Sequence, residues 1–175
     1  MLLKQLLPDL YVHSIYEIDL LALKEAGVKG IITDLDNTLI AWNRAEATPE
    51  VVQWLQRVKE HFQVVIVSNN NEQRVASFSM PLEVPYIYKA RKPLQSAFQK
   101  AMEKMNLAPN EVAVIGDQLF TDVLGGNRLN LYTILVKPVA NTDGFWTRFN
   151  RMLERVALHT MRKRGMITWQ EPKGR

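Results

Sequence analysis

Gly30-Ile31-Ile32-Thr33-Asp34-Leu35-Asp36-Asn37-Thr38 decides the fold. A short β-branched run stops abruptly at two carboxylates, an amide and a hydroxyl, the pattern of a strand that ends in a polar loop. Four similar apolar runs follow it, at residues 64–67 (VVIV), 86–88 (YIY), 112–115 (VAVI) and 132–136 (YTILV). Their apolar character is continuous rather than alternating, which predicts strands covered on both faces, as in parallel sheets. Helical patterns lie between them. Thr48 and Pro49 cap and open one helix. A second is expected from about Asn71 to Phe78, a third from Pro93 to Met105, and a fourth from near Thr121 that Gly125-Gly126 cuts short. The β-α-β-α order predicts an α/β fold built on a single doubly wound parallel sheet.

The chain has 175 residues, 47% of them hydrophobic and 23% charged, which is the composition of an ordinary globular domain. It contains no cysteine, which excludes disulfides and thiolate metal sites. The opening MLLKQLLPDLY is broken too early by Pro8 and Asp9 for a signal peptide, and no apolar run approaches the roughly 18 residues of a spanning helix. A cytoplasmic protein is therefore expected, with the inner face of the membrane as a further possibility raised by the tail. Residues 1–144 carry 14 Lys/Arg against 16 Asp/Glu, whereas residues 145–175 carry 8 against 2. The basic excess thus belongs wholly to the tail. This divides the chain into a unit of residues 1–144 with an N-terminal helical extension, and a basic amphipathic C-terminal helix over 145–175. A turn cluster at Asn141-Thr142-Asp143-Gly144 separates them.

In sheets of this kind ligands bind at the carboxyl ends of the strands. Asp34, Asp36, Asn37 and Thr38 follow the first apolar run, and Ser68, Asn69 and Asn70 follow the second. Gly116 and Asp117 follow the fourth, with Asp122 five positions on, and Lys92 lies just past the third. Carboxylates gathered at one edge repel one another, so each must protonate or share a cation. A hard divalent ion with oxygen ligands resolves this, and Mg²⁺ with carboxylates, phosphate and water is the usual solution. A lysine and a hydroxyl opposite suit a phosphate group. Lys92 at a helix start also conflicts with the helix dipole, a conflict that a bound anion would remove.

These stretches resemble the haloacid dehalogenase-like (HAD) phosphohydrolases. Asp34-Leu35-Asp36-Asn37-Thr38 matches the family's DxDxT motif, Ser68 its second-motif hydroxyl, Lys92 its third-motif lysine, and Gly116-Asp117 with Asp122 its acidic fourth motif. The stretches DLDNTL, SNNNE, RKP and GDQLFTDVLGGNR are similar to the YqeG-type branch, which groups with phosphatidylglycerophosphate phosphatases. The resemblance implies a phosphatase with Asp34 as nucleophile and Asp36 as acid and base. It implies phosphate held by Ser68, Asn69 and Lys92, and Mg²⁺ held by Asp34, Asp117 and the backbone carbonyl of Asp36. Thr38 and Asp122 would support these groups, Asp122 either beside the metal or as an orienter of Lys92.

Other candidates carry less. His13, His61 and His159 lack ligand spacing. Trp42, Trp54 and Trp146 read as packing residues, and Gly125-Gly126 as a helix end. Thr38 and Ser68 are 30 positions apart, and Ser68 and Lys92 are 24 apart. Neither interval accommodates a separate cap domain of roughly 50 residues beside its own helix and strand. An open site is expected, suited to a large or surface-bound substrate such as phosphatidylglycerophosphate. On a helical wheel Phe145, Phe149, Met152, Leu153 and Val156 share one face, with Arg148, Arg151, Arg155 and Arg162 opposite. That helix either docks on the sheet or lies on an anionic membrane through residues 145–164. The remaining alternatives are a phosphatase of a soluble sugar or nucleotide phosphate, and a non-catalytic RNA- or ribosome-associated module using the basic tail. A role on nucleic acid is the less favoured.

Overall fold

The apolar runs do pair side by side. The computed structural model describes residues 2–140 and 145–167, with side chains for 3–140 and 150–167. Six strands form one parallel sheet: β1 (Leu10–Val12), β2 (Gly30–Thr33), β3 (Gln63–Val67), β4 (Tyr86–Ile87), β5 (Val112–Gly116) and β6 (Tyr132–Val136), in the order β1-β6-β5-β2-β3-β4. The helices are α1 (Leu2–Gln5), α2 (Leu20–Glu25), α3 (Pro49–Lys59), α4 (Glu72–Ser79), α5 (Gln95–Met105), α6 (Leu124–Asn127) and α7 (Phe145–Lys163).

Both sheet faces are dry, as continuous strands require. Along β2, β3 and β5 alternate residues point to opposite sides. Ile31, Val64, Ile66, Ala113 and Ile115 pack with Trp54 and Val58 of α3 and with Val75 and Phe78 of α4. Ile32, Val65, Val67 and Val114 pack with Phe98, Ala101, Met102 and Met105 of α5. A third cluster joins Leu6, Leu119, Val123 and Leu135 to Ala157 and Met161 of α7.

From β2 the chain winds outward through β3 and β4, then returns to β5 on the other side of β2. The reversal falls between β2 and β5, where Thr33 is level with Ile115. Asp34 and Asp117 therefore leave the sheet side by side at the crevice where doubly wound folds bind ligands.

Local signals behaved as the sequence indicated where capping chemistry was present. Thr48 Oγ1 accepts from Val51 N–H at 3.3 Å, and Asn71 Oδ1 from Arg74 N–H at 2.9 Å. Three expectations change. The N-terminal segment is not simply helical. After α1 it supplies β1, and Asp9 just ahead of that strand accepts at Oδ2 from Thr133 N–H at 2.8 Å. A three-residue edge strand is too short to show periodicity. Helix α5 begins at Gln95 rather than Pro93, because Leu94 is extended, with φ −63° and ψ 139°. Lys92 thus stands three residues ahead of the helix, so the helix dipole does not account for it.

Gly125-Gly126 lies within α6 and does not end it. A Cβ on Gly125 would sit 2.4 Å from the Phe98 ring, and one on Gly126 would sit 2.6 Å from Thr133 Cγ2. These glycines allow α6 to press against α5 and β6. The turn cluster at Asn141–Gly144 lies outside the described residues. Gly125→Ala is expected to lower stability by about 1–3 kcal/mol through overpacking. Urea denaturation would show this as a lower midpoint at unchanged slope.

Candidate active site

Asp34 follows β2, and its backbone N–H donates to Ile115 O at 2.9 Å, extending the ladder by one residue. Its carboxylate is buried and held from two sides. Lys92 Nζ donates to Oδ1 at 2.7 Å, and Thr38 Oγ1 lies 3.3 Å from Oδ2. Thr38 Oγ1 is also 3.1 Å from Asp117 Oδ1, so this hydroxyl sits between the two carboxylates. The chain can turn back to place Thr38 there because Asn37 adopts a left-handed conformation, φ 63°, which asparagine tolerates. Asn37 Oδ1 accepts from Trp42 N–H at 3.2 Å and closes the loop.

Asp122 lies on a wide π-helical turn, Leu119–Val123, immediately after β5. Turns of this kind frequently accompany functional sites. Its Oδ1 takes a second hydrogen bond from Lys92 Nζ, at 2.6 Å, and Oδ2 accepts from Gln118 N–H at 3.2 Å. The approach is close enough to require Gly116, where a Cβ would lie 2.2 Å from Asp122 Cγ. One buried ammonium is therefore shared by two buried carboxylates. Carboxylate oxygens of Asp34, Asp117 and Asp122 all lie within 4.8 Å of one another, a grouping that could hold a metal ion.

The electrostatics follow from burial. Burial pushes the Asp34 carboxyl above the usual range, with Lys92 pulling it back and Asp122 pushing it up again. Asp117 is held well above that range by burial, then by Asp34, with Arg151 opposing. Burial works against the Lys92 ammonium, but Asp122 and Asp34 outweigh it, and its pKa is raised.

Asp34, Asp36, Ser68, Asn69, Asn70, Lys92, Gln118 and Thr121 line a pocket of about 330 Å³. A larger groove of about 810 Å³ has Glu50 as the only acid among its described lining residues, so size does not mark the chemistry. Two sequence-expected residues are differently employed. Asn69 was expected to hold phosphate, but its side chain is engaged with the Lys92 backbone. Oδ1 accepts from Lys92 N–H at 2.7 Å, and Nδ2 donates to Lys92 O at 3.4 Å. The Asp36 carboxylate stands apart from the other three acids. It accepts from Arg74 Nη2 at 2.8 Å, Arg74 Nε at 3.0 Å and Asn70 Nδ2 at 3.0 Å.

Arg74, Arg151 and Glu154 were not anticipated in the site. Nothing in the sequence places Arg74 opposite Asp36, because the two meet only through the β2–β3 pairing. Helix α7 packs on the domain, but not through the apolar arc that the helical wheel marks. Glu154, Ala157 and Met161 are buried, while Met152, Leu153 and Val156 of the supposed docking face are exposed. Arg151 points inward to Asp117 instead of joining a solvated stripe. Phe145, Trp146, Arg148 and Phe149 have side chains outside the described residues. One signal was available: Glu154 is the only acid in α7, and it lies one turn from Arg151.

The sequence profile described as mitochondrial PGP phosphatase matches residues 2–140. The chain belongs to that family. Probable phosphatase YqeG of Bacillus subtilis (strain 168) is 56% identical over 172 residues, covering 98% of this chain and 100% of the relative. Phosphatidylglycerophosphate phosphatase 1, chloroplastic/mitochondrial, of Arabidopsis thaliana is 26% identical over 91% of this chain. The chain spans 49% of that plant protein's length. Among solved structures, the cobalt-bound deoxy-D-mannose-octulosonate 8-phosphate phosphatase of Haemophilus influenzae superposes with a TM-score of 0.54 at 14% identity, over 83% of this chain and 96% of that one. That likeness concerns the fold. The chain is thus a member of the PGP phosphatase family of the YqeG kind, on a fold shared with HAD phosphatases.

For this PGP phosphatase family member, the shared lysine gives a direct test. Replacing Lys92 by Met leaves Asp34 and Asp122 buried without their cation, at a cost of about 3 kcal/mol when both are ionised. Without the ammonium, the folded-state pKa of the Asp34 carboxyl rises further above the unfolded value of about 4. Stability is then retained below that value and lost as pH rises through the raised one. In chelator, Lys92→Met is expected to be much less stable than wild type near pH ~8, with the deficit shrinking toward pH ~5. Urea titrations at both pH values measure it.

Proposed function

We propose that the chain hydrolyses phosphomonoesters through an aspartyl-phosphate on Asp34, with Mg²⁺ as cofactor and phosphatidylglycerophosphate as substrate. The observation that carries this reading is the Asp34 carboxylate itself, buried on the pocket floor with Lys92 on one oxygen and Thr38 beside the other. A fixed carboxylate beside a cation suits in-line attack on a phosphoryl group, because the ammonium balances the oxygens that gather charge.

In the first half-reaction an Asp34 oxygen bonds to phosphorus as the ester bond breaks. Asp36 gives its proton to the leaving alkoxide. In the second, Asp36 takes a proton from water, the resulting hydroxide attacks the phosphorus, and inorganic phosphate leaves with Asp34 restored. Ser68 and Lys92 hold the phosphoryl oxygens in both. Asn69 steadies the Lys92 backbone, and Arg74 with Asn70 fixes Asp36 at the pocket mouth. Asp34, Asp117 and the Asp36 carbonyl are the residues that would hold Mg²⁺, whose charge would neutralise the carboxylates and polarise the phosphoryl group.

A lipid substrate is supported by the family and by the openness of the site. Among the described residues the chain between Thr38 and Lys92 forms α3, β3, α4, β4 and short turns, with no inserted cap. No described helix is long and apolar enough to cross a membrane. Contact with a bilayer surface is supported by the exposed Met152, Leu153 and Val156 of α7, which share the helix with exposed Arg155, Arg162 and Lys163.

Asp34→Asn is expected to cut turnover by at least about 10³-fold with the fold intact. Asp36→Asn should cost about 10²–10⁴-fold. Acid quenching of the wild type during turnover should trap a hydroxylamine-labile phosphate on Asp34, and its absence would exclude the covalent route. Activity should be lost in chelator and return with Mg²⁺, and phosphatidylglycerophosphate in anionic vesicles should be preferred over soluble phosphomonoesters. A Met152→Gln/Val156→Gln double variant is expected to bind such vesicles about tenfold more weakly while cleaving a soluble ester normally. Co-sedimentation and a colorimetric assay read the two effects.

A further inference from the structure

We propose that Arg151 is a latch on the metal site. Its guanidinium holds Asp117, and loading of the divalent cation requires it to withdraw onto Glu154, loosening the contact of α7 with the domain. The proposal rests on the metal reading above and concerns the control of that site.

The geometry is that of a clamp. Arg151 Nη2 donates to Asp117 Oδ2, and Nη1 donates to the Asp117 backbone carbonyl at 2.5 Å. The Asp117 side chain is fully covered, and Arg151 itself is only 12% exposed. Asp117 does not line the pocket that holds Asp34, Asp36, Ser68 and Lys92. It lines a neighbouring pocket together with Arg151 and Glu154. The one carboxylate that both the metal reading and the acidic grouping require beside Asp34 is therefore engaged by a cation from another helix.

A guanidinium and a divalent cation on one buried carboxylate compete. Each is attracted to Asp117, and each repels the other in a site where solvent screens little. The structure supplies an alternative partner for the displaced group. Arg151 Nη1 already donates to Glu154 Oε2 at 3.1 Å. Glu154 is buried and fixed by accepting from Leu119 N–H at 2.8 Å. Leu119 begins the turn that carries Asp122, so Glu154 is anchored to the site and not merely to its own helix. Arg151 can therefore give up Asp117 without becoming an unpaired buried charge. Because the bond to the Asp117 carbonyl is one of the polar ties between α7 and the site, its release weakens the seat of the helix, leaving the Glu154–Leu119 bond and the apolar contacts of Ala157 and Met161 to hold it.

The opposite role is a guanidinium that steadies Asp117 for the metal, and it predicts the opposite sign. Calorimetric titration of chelator-treated protein with Mg²⁺ alone separates them, with circular dichroism confirming that each variant is folded. Arg151→Gln is expected to bind Mg²⁺ at least tenfold more tightly than wild type. Glu154→Gln is expected to bind it more weakly, since the displaced Arg151 then lacks the Glu154 carboxylate. Equal or weaker binding by Arg151→Gln would overturn the latch. Wild type that binds no Mg²⁺ would instead remove the metal reading, and the latch with it.

Hydrogen exchange gives a second measurement that simple removal of charge cannot mimic. Amides of residues 150–163 should exchange several-fold faster with saturating Mg²⁺ in wild type, and equally with and without Mg²⁺ in Arg151→Gln. Helix amides indifferent to Mg²⁺ in wild type would refute the coupling.

Discussion

Three carboxylates converge within 4.8 Å at the end of β2 and β5, and the rest of the site answers the repulsion among them. Two cations answer it, Lys92 buried and Arg151 partly covered. Lys92 bridges Asp34 and Asp122, while Arg151 takes Asp117. Burial makes each charge costly and each pairing correspondingly strong, so neither cation is replaceable at small cost. The elements that deliver them are thereby fixed. The segment between β4 and α5 must place Lys92 against the strand ends, and α7 must lie across the loop after β5.

The sheet makes this convergence affordable. Strands dry on both faces supply a rigid frame from side chains such as Ile31, Ile32, Ile66 and Ile115, all almost fully buried. Loops rooted in that frame hold groups that would otherwise separate. Small residues and unusual backbone appear where charge is brought close. Gly116 admits Asp122, Asn37 takes the left-handed turn that returns Thr38 to Asp34, and a π-helical turn carries Asp122. The local cost is borne at the site and offset by the core beneath it.

Helix α7 shows how a helical wheel can mislead. Its most apolar arc, Met152, Leu153 and Val156, faces outward, and a mixed arc of Glu154, Ala157 and Met161 faces in. The inward arc is chosen by specific bonds, from Leu119 N–H to Glu154 and from Arg151 to Asp117, which hydrophobicity alone does not register.

The sequence by itself determined the frame and the grouping of polar residues along one of its edges. Continuous β-branched runs could only be strands covered on both faces, their alternation with capped helices required parallel crossovers, and polar residues at four strand ends had to meet at one edge. Asp34, Ser68, Lys92, Asp117 and Asp122 were legible for that reason. What the tertiary structure decided were contacts between segments far apart in the chain. Asn69 grips the Lys92 backbone, Arg74 meets Asp36, β1 joins β6, and Arg151 reaches Asp117 across 34 positions. Such pairings leave no local periodicity, since each partner reads alone as an ordinary turn or surface residue. Their identity follows from which strand ends and helix faces the winding brings together, and only the folded chain contains that information.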